Sequence, residues 1–244
     1  MQDNLKLEKE EIFEILVSVI AISIAFSLLF SGGIGGIPKI LRNLDEFLLL
    51  TFFSIVTAGT GFIFHEIAHK VSAIFYGAYA RFKMWTNGLA FMMITSLFGF
   101  LFAAPGAVYI YSKNITQKQN GIISLAGPVT NIIIALAFVA LSLTNEITVY
   151  LSIIGGSISI WQFGASINVM LALLNMIPVF PLDGSKIFNW NKVVWGAFVG
   201  IVALVAFLIE NVLLVEGFFL DIVMMAFFML LLAMFISNLL FKRG

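Results

Sequence analysis

The stretch Gly61-Phe62-Ile63-Phe64-His65-Glu66-Ile67-Ala68-His69-Lys70 decides how the rest of this sequence is interpreted. It contains both histidines of the chain, four residues apart around a glutamate. Because an α-helix turns by about 100° per residue, side chains at i and i+4 face the same way and can bind one metal ion. Glu66 lies beside that face without being a ligand. Two imidazoles on a metal, with a carboxylate that takes a proton from metal-bound water, are the arrangement of a zinc hydrolase.

The composition places this stretch inside a membrane. Of the 244 residues, 61% are hydrophobic and 11% are charged, and the mean hydropathy is +1.08, whereas average proteins are about 25% charged. The chain is too apolar for a water-soluble domain, so we expect a lipid bilayer around it. Its net charge is zero, and we expect no nucleic-acid partner. Because cysteine is absent, disulfides, iron–sulfur clusters and cysteine nucleophiles are excluded, and histidine, aspartate and glutamate remain as metal ligands.

Hydropathy predicts an all-α fold, a six-transmembrane-helix bundle that forms a single integral membrane domain over residues 1–244. The predicted spans cover about residues 12–30, 47–76, 121–143, 147–177, 193–212 and 217–241. We expect the first to be a retained span and not a cleaved signal peptide, because no small-residue cleavage site follows it. Residues 31–46, which begin with a glycine cluster, are expected to form a short connection.

Residues 88–111 are apolar enough to span a membrane, yet Gly99, Pro105 and Gly106 interrupt them. If they do not cross, eleven of the thirteen lysines and arginines fall on the cytoplasmic side with both termini, and Lys39 and Arg42 lie outside. A crossing would remove most of this bias. We therefore predict a short membrane-associated β-hairpin or re-entrant segment after span two. The alternation in residues 81–85 favours a strand.

A zinc site needs a third protein ligand and an open position for water. Asp183 is the candidate, because it follows the fourth span where Pro178, Pro181 and Gly184 break the helix. Spans two and four both end on the cytoplasmic side when residues 88–111 do not cross. Asp183 then reaches the half of the bilayer that contains His65 and His69. The positions of the lysines and arginines and those of the candidate metal ligands are independent observations. Both require that residues 88–111 do not cross the membrane.

Four motifs follow one another within residues 47–190. They are Phe64-His65-Glu66-Ile67-Ala68-His69, Ala103-Ala104-Pro105-Gly106-Ala107-Val108, Ala126-Gly127-Pro128-Val129-Thr130-Asn131, and Asn175-x-x-Pro178-x-x-Pro181-Leu182-Asp183-Gly184. In this order, and inside membrane helices, they resemble the site-2 protease family, zinc metalloproteases that cut their substrates within the membrane. The resemblance covers the predicted catalytic core, about residues 47–190, with residues 12–30, 193–212 and 217–241 as flanking spans.

The resemblance implies one Zn²⁺ per chain, bound by His65, His69 and Asp183, with Glu66 as general base. It also implies that Asn175 holds the substrate carbonyl or the developing oxyanion. The expected partner is a protein substrate with a transmembrane segment, cut in the cytoplasmic half of the cell membrane; the oligomeric state stays open. Because a helical substrate hides its carbonyls in its own hydrogen bonds, we expect it to unwind, aided by strand pairing with the Arg81–Trp85 region.

Several alternatives stay open from the residues alone. Asn168 lies one heptad before Asn175, so either amide could contact the substrate, and Asn131 could pair helices or support the site. A Ste24-like membrane zinc protease would need a later glutamate as third ligand, but Glu146, Glu210 and Glu216 are predicted near the outer surface. A di-iron enzyme would need more ligands than two histidines allow. A metal transporter or a non-catalytic metal-binding protein would not need a base at position 66.

Overall fold

The computed structural model of the protein describes residues 6–102, 105–112 and 114–213, together with Met224 and Phe227. Its helices are α1 (Lys9–Phe30), α2 (Gly33–Arg42), α3 (Leu44–Ser54), α4 (Thr60–Phe75), α5 (Thr86–Leu97), α6 (Gln117–Thr144), α7 (Ile160–Asn175), α8 (Asp183–Trp190) and α9 (Lys192–Leu213). Its strands are β1 (Tyr79–Met84), β2 (Gly106–Tyr111), β3 (Thr148–Leu151) and β4 (Gly156–Ser159). The predicted sixth span, 217–241, lies outside the described residues apart from Met224 and Phe227.

Within the described residues, four helical segments are long and apolar enough to cross a membrane. They are α1, the continuous segment Leu44–Phe75, α6 and α9, and they correspond to the first, second, third and fifth predicted spans. A π-helical turn at Ile55–Gly59 joins α3 to α4 without a break. Large apolar side chains such as Phe13, Phe52 and Ile133 face outward on these helices. Such a surface is stable in lipid and costly in water, so the chain is a membrane protein.

The fourth predicted span, residues 147–177, is wrong in its first half. Strands β3 and β4 pair as an antiparallel hairpin there, and α7 has 16 residues, about 24 Å of helix. The β-branched residues of Thr148–Leu151 favour a strand, and Gly155 makes the turn with φ +74°. The Ser159 hydroxyl then accepts a hydrogen bond from the Gln162 backbone N–H and caps the start of α7. Hydropathy alone does not separate an apolar hairpin from an apolar helix.

The prediction that residues 88–111 do not form one crossing helix is confirmed. Helix α5 packs along α1, and the chain then returns to β2, which pairs with β1 so that Met84 lies opposite Gly106. The Trp85 N–H also donates to the Pro105 carbonyl at 2.9 Å. Strands β1 and β2 precede and follow α5 in the sequence and pair in one two-stranded sheet, so after α5 the chain returns to the sheet from which it left.

The predicted connection at residues 31–46 contains a helix. Gly33, Gly36 and Ile40 of α2 are buried, whereas Ile34, Ile37 and Leu41 are exposed. Gly33 has φ +58°, and a Cβ there would collide with the Leu97 carbonyl at the end of α5. Glycine at this position lets α2 and α5 approach closely.

Helix α6 lies at the centre of the described bundle and packs against α4, α7 and α8. It begins at Gln117, four residues before the predicted span, because Thr116 and Gln119 form a capping box. Because α4 and α8 both pack against α6, the histidines of α4 lie close to Asp183, the first residue of α8.

Candidate active site

The structure brings the three predicted metal ligands together. His65 and His69 lie on α4, and Asp183 is the first residue of α8. The Nε2 atoms of the two histidines are 2.9 Å apart, and Oδ2 of Asp183 lies 3.3 Å from that of His65 and 2.9 Å from that of His69. All three side chains are buried.

The hydrogen bonds of the two imidazoles leave their Nε2 lone pairs free for a metal. His69 donates through Nδ1 to the Ile123 carbonyl at 2.8 Å, and His65 donates through Nδ1 to Oδ1 of Asn131 at 2.5 Å. Three acceptor atoms converging within 3.3 Å repel one another unless a cation lies among them. Four ligands at about 2.0–2.1 Å from zinc in a tetrahedron are themselves about 3.3 Å apart. The donor set therefore fits a zinc ion with a fourth position open.

Asn131 supports His65, which resolves the role that the sequence left open. Its Nδ2 donates to Oδ1 of Asn168 at 3.0 Å and to the Gly61 carbonyl at 3.3 Å, which fixes Oδ1 toward His65. Asn168 in turn donates to the Gly164 carbonyl at 2.8 Å and is fully buried. This chain of amides orients the imidazole of one candidate metal ligand, as hydrogen-bond partners of metal ligands commonly do.

Gly127 makes room for the metal centre. A Cβ at this position would lie 2.5 Å from Nε2 of both His65 and His69. Only a residue without a side chain lets α6 lie this close to the imidazoles. The signal in the sequence is its spacing, because Gly127 and Asn131 are one helical turn apart within the motif Ala126–Asn131.

Glu66 lies beside the imidazoles with an unused carboxylate oxygen. The residue is buried, and its Oε2 has no hydrogen-bond partner among the described residues. The backbone amide of Val108, in β2, interacts with the same carboxylate. A buried carboxylate oxygen without a partner is costly, and a water or substrate in the adjoining cavity would satisfy it.

Lys186 donates a hydrogen bond to Asp183, the third candidate ligand, and the sequence did not predict this contact. Its Nζ donates to Oδ1 of Asp183 at 3.1 Å, which leaves Oδ2 to the imidazoles. The signal was the spacing of Asp183 and Lys186, which are three residues apart on one helix.

Asn175 lies on the wall of the same cavity, which has a volume of about 400 Å³ and is also lined by Glu66 and the three candidate ligands. Its Nδ2 donates to the Leu171 carbonyl at 3.1 Å. Asn168 is not in the cavity wall. Of the two amides that the sequence left open, Asn175 is therefore the one placed to meet a substrate.

One edge of strand β2 also lines this cavity. The backbone N–H groups of Phe82 and Met84 in β1 point away from β2, toward Glu11 and Glu14 of α1. Since hydrogen bonding alternates along an antiparallel pair, the residues opposite them, Val108 and Gly106, also point their N–H and C=O groups away from β1. Both residues lie in the cavity wall.

Comparison with known proteins identifies the family of this chain. The profile of Peptidase family M50 matches residues 147–204. A protein of Methanocaldococcus jannaschii named "Putative zinc metalloprotease" is 38% identical over 200 residues, which cover 80% of this chain and 92% of that protein. No solved structure matches the chain. The chain belongs to peptidase family M50, the site-2 protease family.

Proposed function

We propose that this protein is an intramembrane zinc endopeptidase that hydrolyses peptide bonds in the transmembrane segments of other membrane proteins. The observation that carries the proposal is the buried set of His65, His69 and Asp183 beside Glu66, whose Oε2 has no hydrogen-bond partner among the described residues. This set adjoins a cavity within a bundle whose outer faces are apolar. Membership of a zinc metalloprotease family supports the choice of metal and reaction.

In this proposal His65, His69 and Asp183 bind one zinc ion. When bound, zinc polarises the substrate carbonyl and makes the attacking water acidic. Glu66 accepts the proton of that water on its free oxygen, Oε2, and passes it to the nitrogen of the leaving amine. The peptide C–N bond breaks as the new C–O bond is completed, giving a carboxylate and an amine.

The substrate is held in an extended conformation by backbone groups and Asn175. A helical peptide satisfies its carbonyls internally, so the cut segment must unwind before water can attack it. Pairing with Gly106 and Val108 at the cavity edge of β2 would replace the lost hydrogen bonds. This differs from the pairing with residues 81–85 expected from the sequence, because Glu11 and Glu14 already engage N–H groups on the outer edge of β1. The Asn175 amide lies on the cavity wall, where it can donate to the carbonyl oxygen of the bound peptide.

The proposed topology keeps six spans with both termini in the cytoplasm. His65 and His69 lie ten and six residues before the end of α4 at Phe75, about 15 Å and 9 Å along the helix. With the end of α4 at the cytoplasmic surface, these distances support a site in the cytoplasmic half of the bilayer. Helix α7 is short for a span, and the β3–β4 hairpin extends it toward the outer surface.

We treat residues 1–244 as one membrane domain with its catalytic core at about residues 47–190. Helix α1 also belongs to the wall of the active site, because Ile22 lines the cavity. The first span is therefore more than a flanking helix.

The structure disfavours the alternatives. Glu146, one candidate third ligand of a Ste24-like enzyme, is exposed and accepts a hydrogen bond from Gln162 at 2.8 Å. A transporter or a non-catalytic metal-binding protein gains nothing from the buried Oε2 of Glu66, which has no hydrogen-bond partner among the described residues and costs folding free energy.

The test is cleavage of a single-span membrane protein in liposomes, with the product ends mapped by mass spectrometry. We expect the zinc-loaded enzyme to cut within the apolar span, and a Glu146→Gln control to cut equally well. Cleavage confined to the water-exposed flanks of the substrate, or no cleavage, would contradict the proposal.

A further inference from the structure

The beginning of α1 and the nearby residues of β1 are joined by several glutamates. Glu8 and Glu10 form exposed ion pairs with Arg81, at 2.9 Å and 2.7 Å. Solvent screens such pairs near the surface, so they contribute little to stability. Glu11 is different, because it is 1% exposed.

Both carboxylate oxygens of Glu11 are engaged. Oε2 lies 2.6 Å from Nζ of Lys70, which is buried and follows the candidate zinc ligand His69. Oε1 accepts a hydrogen bond from the Phe82 backbone N–H at 3.0 Å. One side chain of α1 thus connects the metal-binding helix to strand β1.

Glu14, about one turn further along α1, repeats this contact. Its Oε2 accepts a hydrogen bond from the Met84 backbone N–H at 2.8 Å. Phe82 and Met84 both donate from the outer edge of β1. A two-stranded sheet ordinarily offers two open edges to an added strand, but here carboxylates occupy these two donors on the outer edge.

We propose that Glu11, together with Glu14, is a positioning residue that blocks the outer edge of β1 and directs an extended substrate to the edge of β2 beside Glu66. The inference rests on the proposed proteolytic function. A substrate strand paired with β1 would lie about 14 Å from the position paired with β2, because three strand spacings of about 4.8 Å separate the two positions.

The contacts also explain why a carboxylate is present at this buried position. An apolar residue at position 11 would leave the Phe82 N–H without its acceptor and the Lys70 ammonium without its counter-charge, although Lys70 also donates to the Lys6 carbonyl at 3.3 Å. The Glu11–Lys70 pair additionally ties the sheet to the helix that carries His69. The hydrogen bond from Phe82 to Glu11 is thus a contact to the sheet from outside the predicted catalytic core.

Two double variants separate edge blocking from the ion pair. In Glu11→Gln with Lys70→Met, both buried charges are removed, but the side-chain carbonyl of the introduced glutamine still accepts from the Phe82 N–H. In Glu11→Met with Lys70→Met, both charges and the acceptor are removed. The two proteins differ in a single side chain, and Glu10→Gln is the matched surface control. All are assayed for zinc content, kcat, KM and the mapped positions of cleavage of a single-span substrate.

We expect the Gln/Met variant and Glu10→Gln to cut at the wild-type position with wild-type KM. The Met/Met variant should keep one zinc per chain, raise KM by about tenfold, and produce additional cut positions, because a hydrogen bond to the edge is lost and β1 competes for substrate. Equal KM and equal cut positions for the two double variants would overturn the inference.

Amide hydrogen exchange distinguishes failure of this inference from failure of the proposed function. In the wild type, the Phe82 and Met84 amides should be protected, and in the Met/Met variant the Phe82 amide should exchange at least about tenfold faster. If the Phe82 and Met84 amides are unprotected in a wild type that cleaves its substrate, edge blocking is refuted and the proposed function is not. A wild type that binds zinc but cleaves no membrane substrate would refute the proposed function, and this inference with it.

Discussion

His65 donates through Nδ1 to Oδ1 of Asn131 at 2.5 Å, across 66 residues of chain. This bond sets the tautomer of the imidazole and directs its Nε2 toward Asp183. It makes α6 part of the metal centre, although α6 supplies none of the three candidate ligands. Loss of this hydrogen bond should therefore be measurable as a change in zinc affinity.

Replacing Asn131 by leucine should lower zinc affinity about 10- to 100-fold, because the ring of His65 loses the acceptor that orients it. Competition with a zinc chelator measures the change. Asn211→Leu is the control, since the Asn211 amide is exposed on α9 and bonds within its own helix. Equal zinc affinities for the two variants would show that the amide chain does not support the metal.

Replacing Gly127 by alanine should lower zinc affinity by at least about tenfold, because the added methyl group would overlap both Nε2 atoms. Gly196→Ala is the matched control, because nothing lies within 4 Å of a Cβ there. It should leave zinc affinity unchanged and stabilise α9 by up to about 1 kcal/mol. Full zinc binding by Gly127→Ala would place the metal elsewhere.

Asp183→Ala should abolish stoichiometric zinc binding, since the remaining two imidazoles do not complete a structural or catalytic zinc site. Lys186→Met should have a smaller effect, lowering affinity by about tenfold or less, because it removes a partner of the ligand and not the ligand. Zinc measured by atomic absorption after gel filtration tests both. Asp183→Ala retaining one tightly bound zinc would remove Asp183 from the ligand set.

The ligands could be predicted from the sequence because their signals are local or topological. Helical periodicity alone puts His65 and His69 on one face, and counting spans brings Asp183 to the same depth. The prediction that residues 88–111 do not form one crossing helix followed from the positions of the lysines and arginines. These inferences use only helix geometry and membrane topology, and they require no knowledge of side-chain packing.

The hydrogen-bond partners that support the candidate ligands and the sheet could not be predicted in the same way. The bonds of Asn131 and Glu11 join residues far apart in sequence, and a polar residue gives no sign of which distant group it meets. The β3–β4 hairpin was missed because apolar content dominates a hydropathy window, whereas the strand signal lies in a few β-branched residues and Gly155. Helix α2 was missed because glycine and proline favour loops, although burial of Gly33 and Gly36 against the bundle stabilises it.

Labelling of single introduced cysteines tests whether residues 88–111 cross the membrane. The native chain has no cysteine, so each introduced cysteine is labelled alone. Phe75→Cys and Tyr111→Cys, at exposed positions before and after the segment, should react with a membrane-impermeant reagent from the same side. Leu44→Cys, at the opposite end of the continuous helix Leu44–Phe75, should react from the other side. Labelling of Tyr111→Cys together with Leu44→Cys would mean that the segment crosses the membrane.

The most direct measurement compares wild type and Glu66→Gln for zinc content and cleavage in the same liposome preparation. Glutamine keeps the size of the side chain but cannot take the proton, so the account predicts one zinc per chain in both proteins and a loss of at least about 100-fold in kcat. Wild-type cleavage by Glu66→Gln would contradict the assignment of Glu66 as the base in a membrane zinc protease.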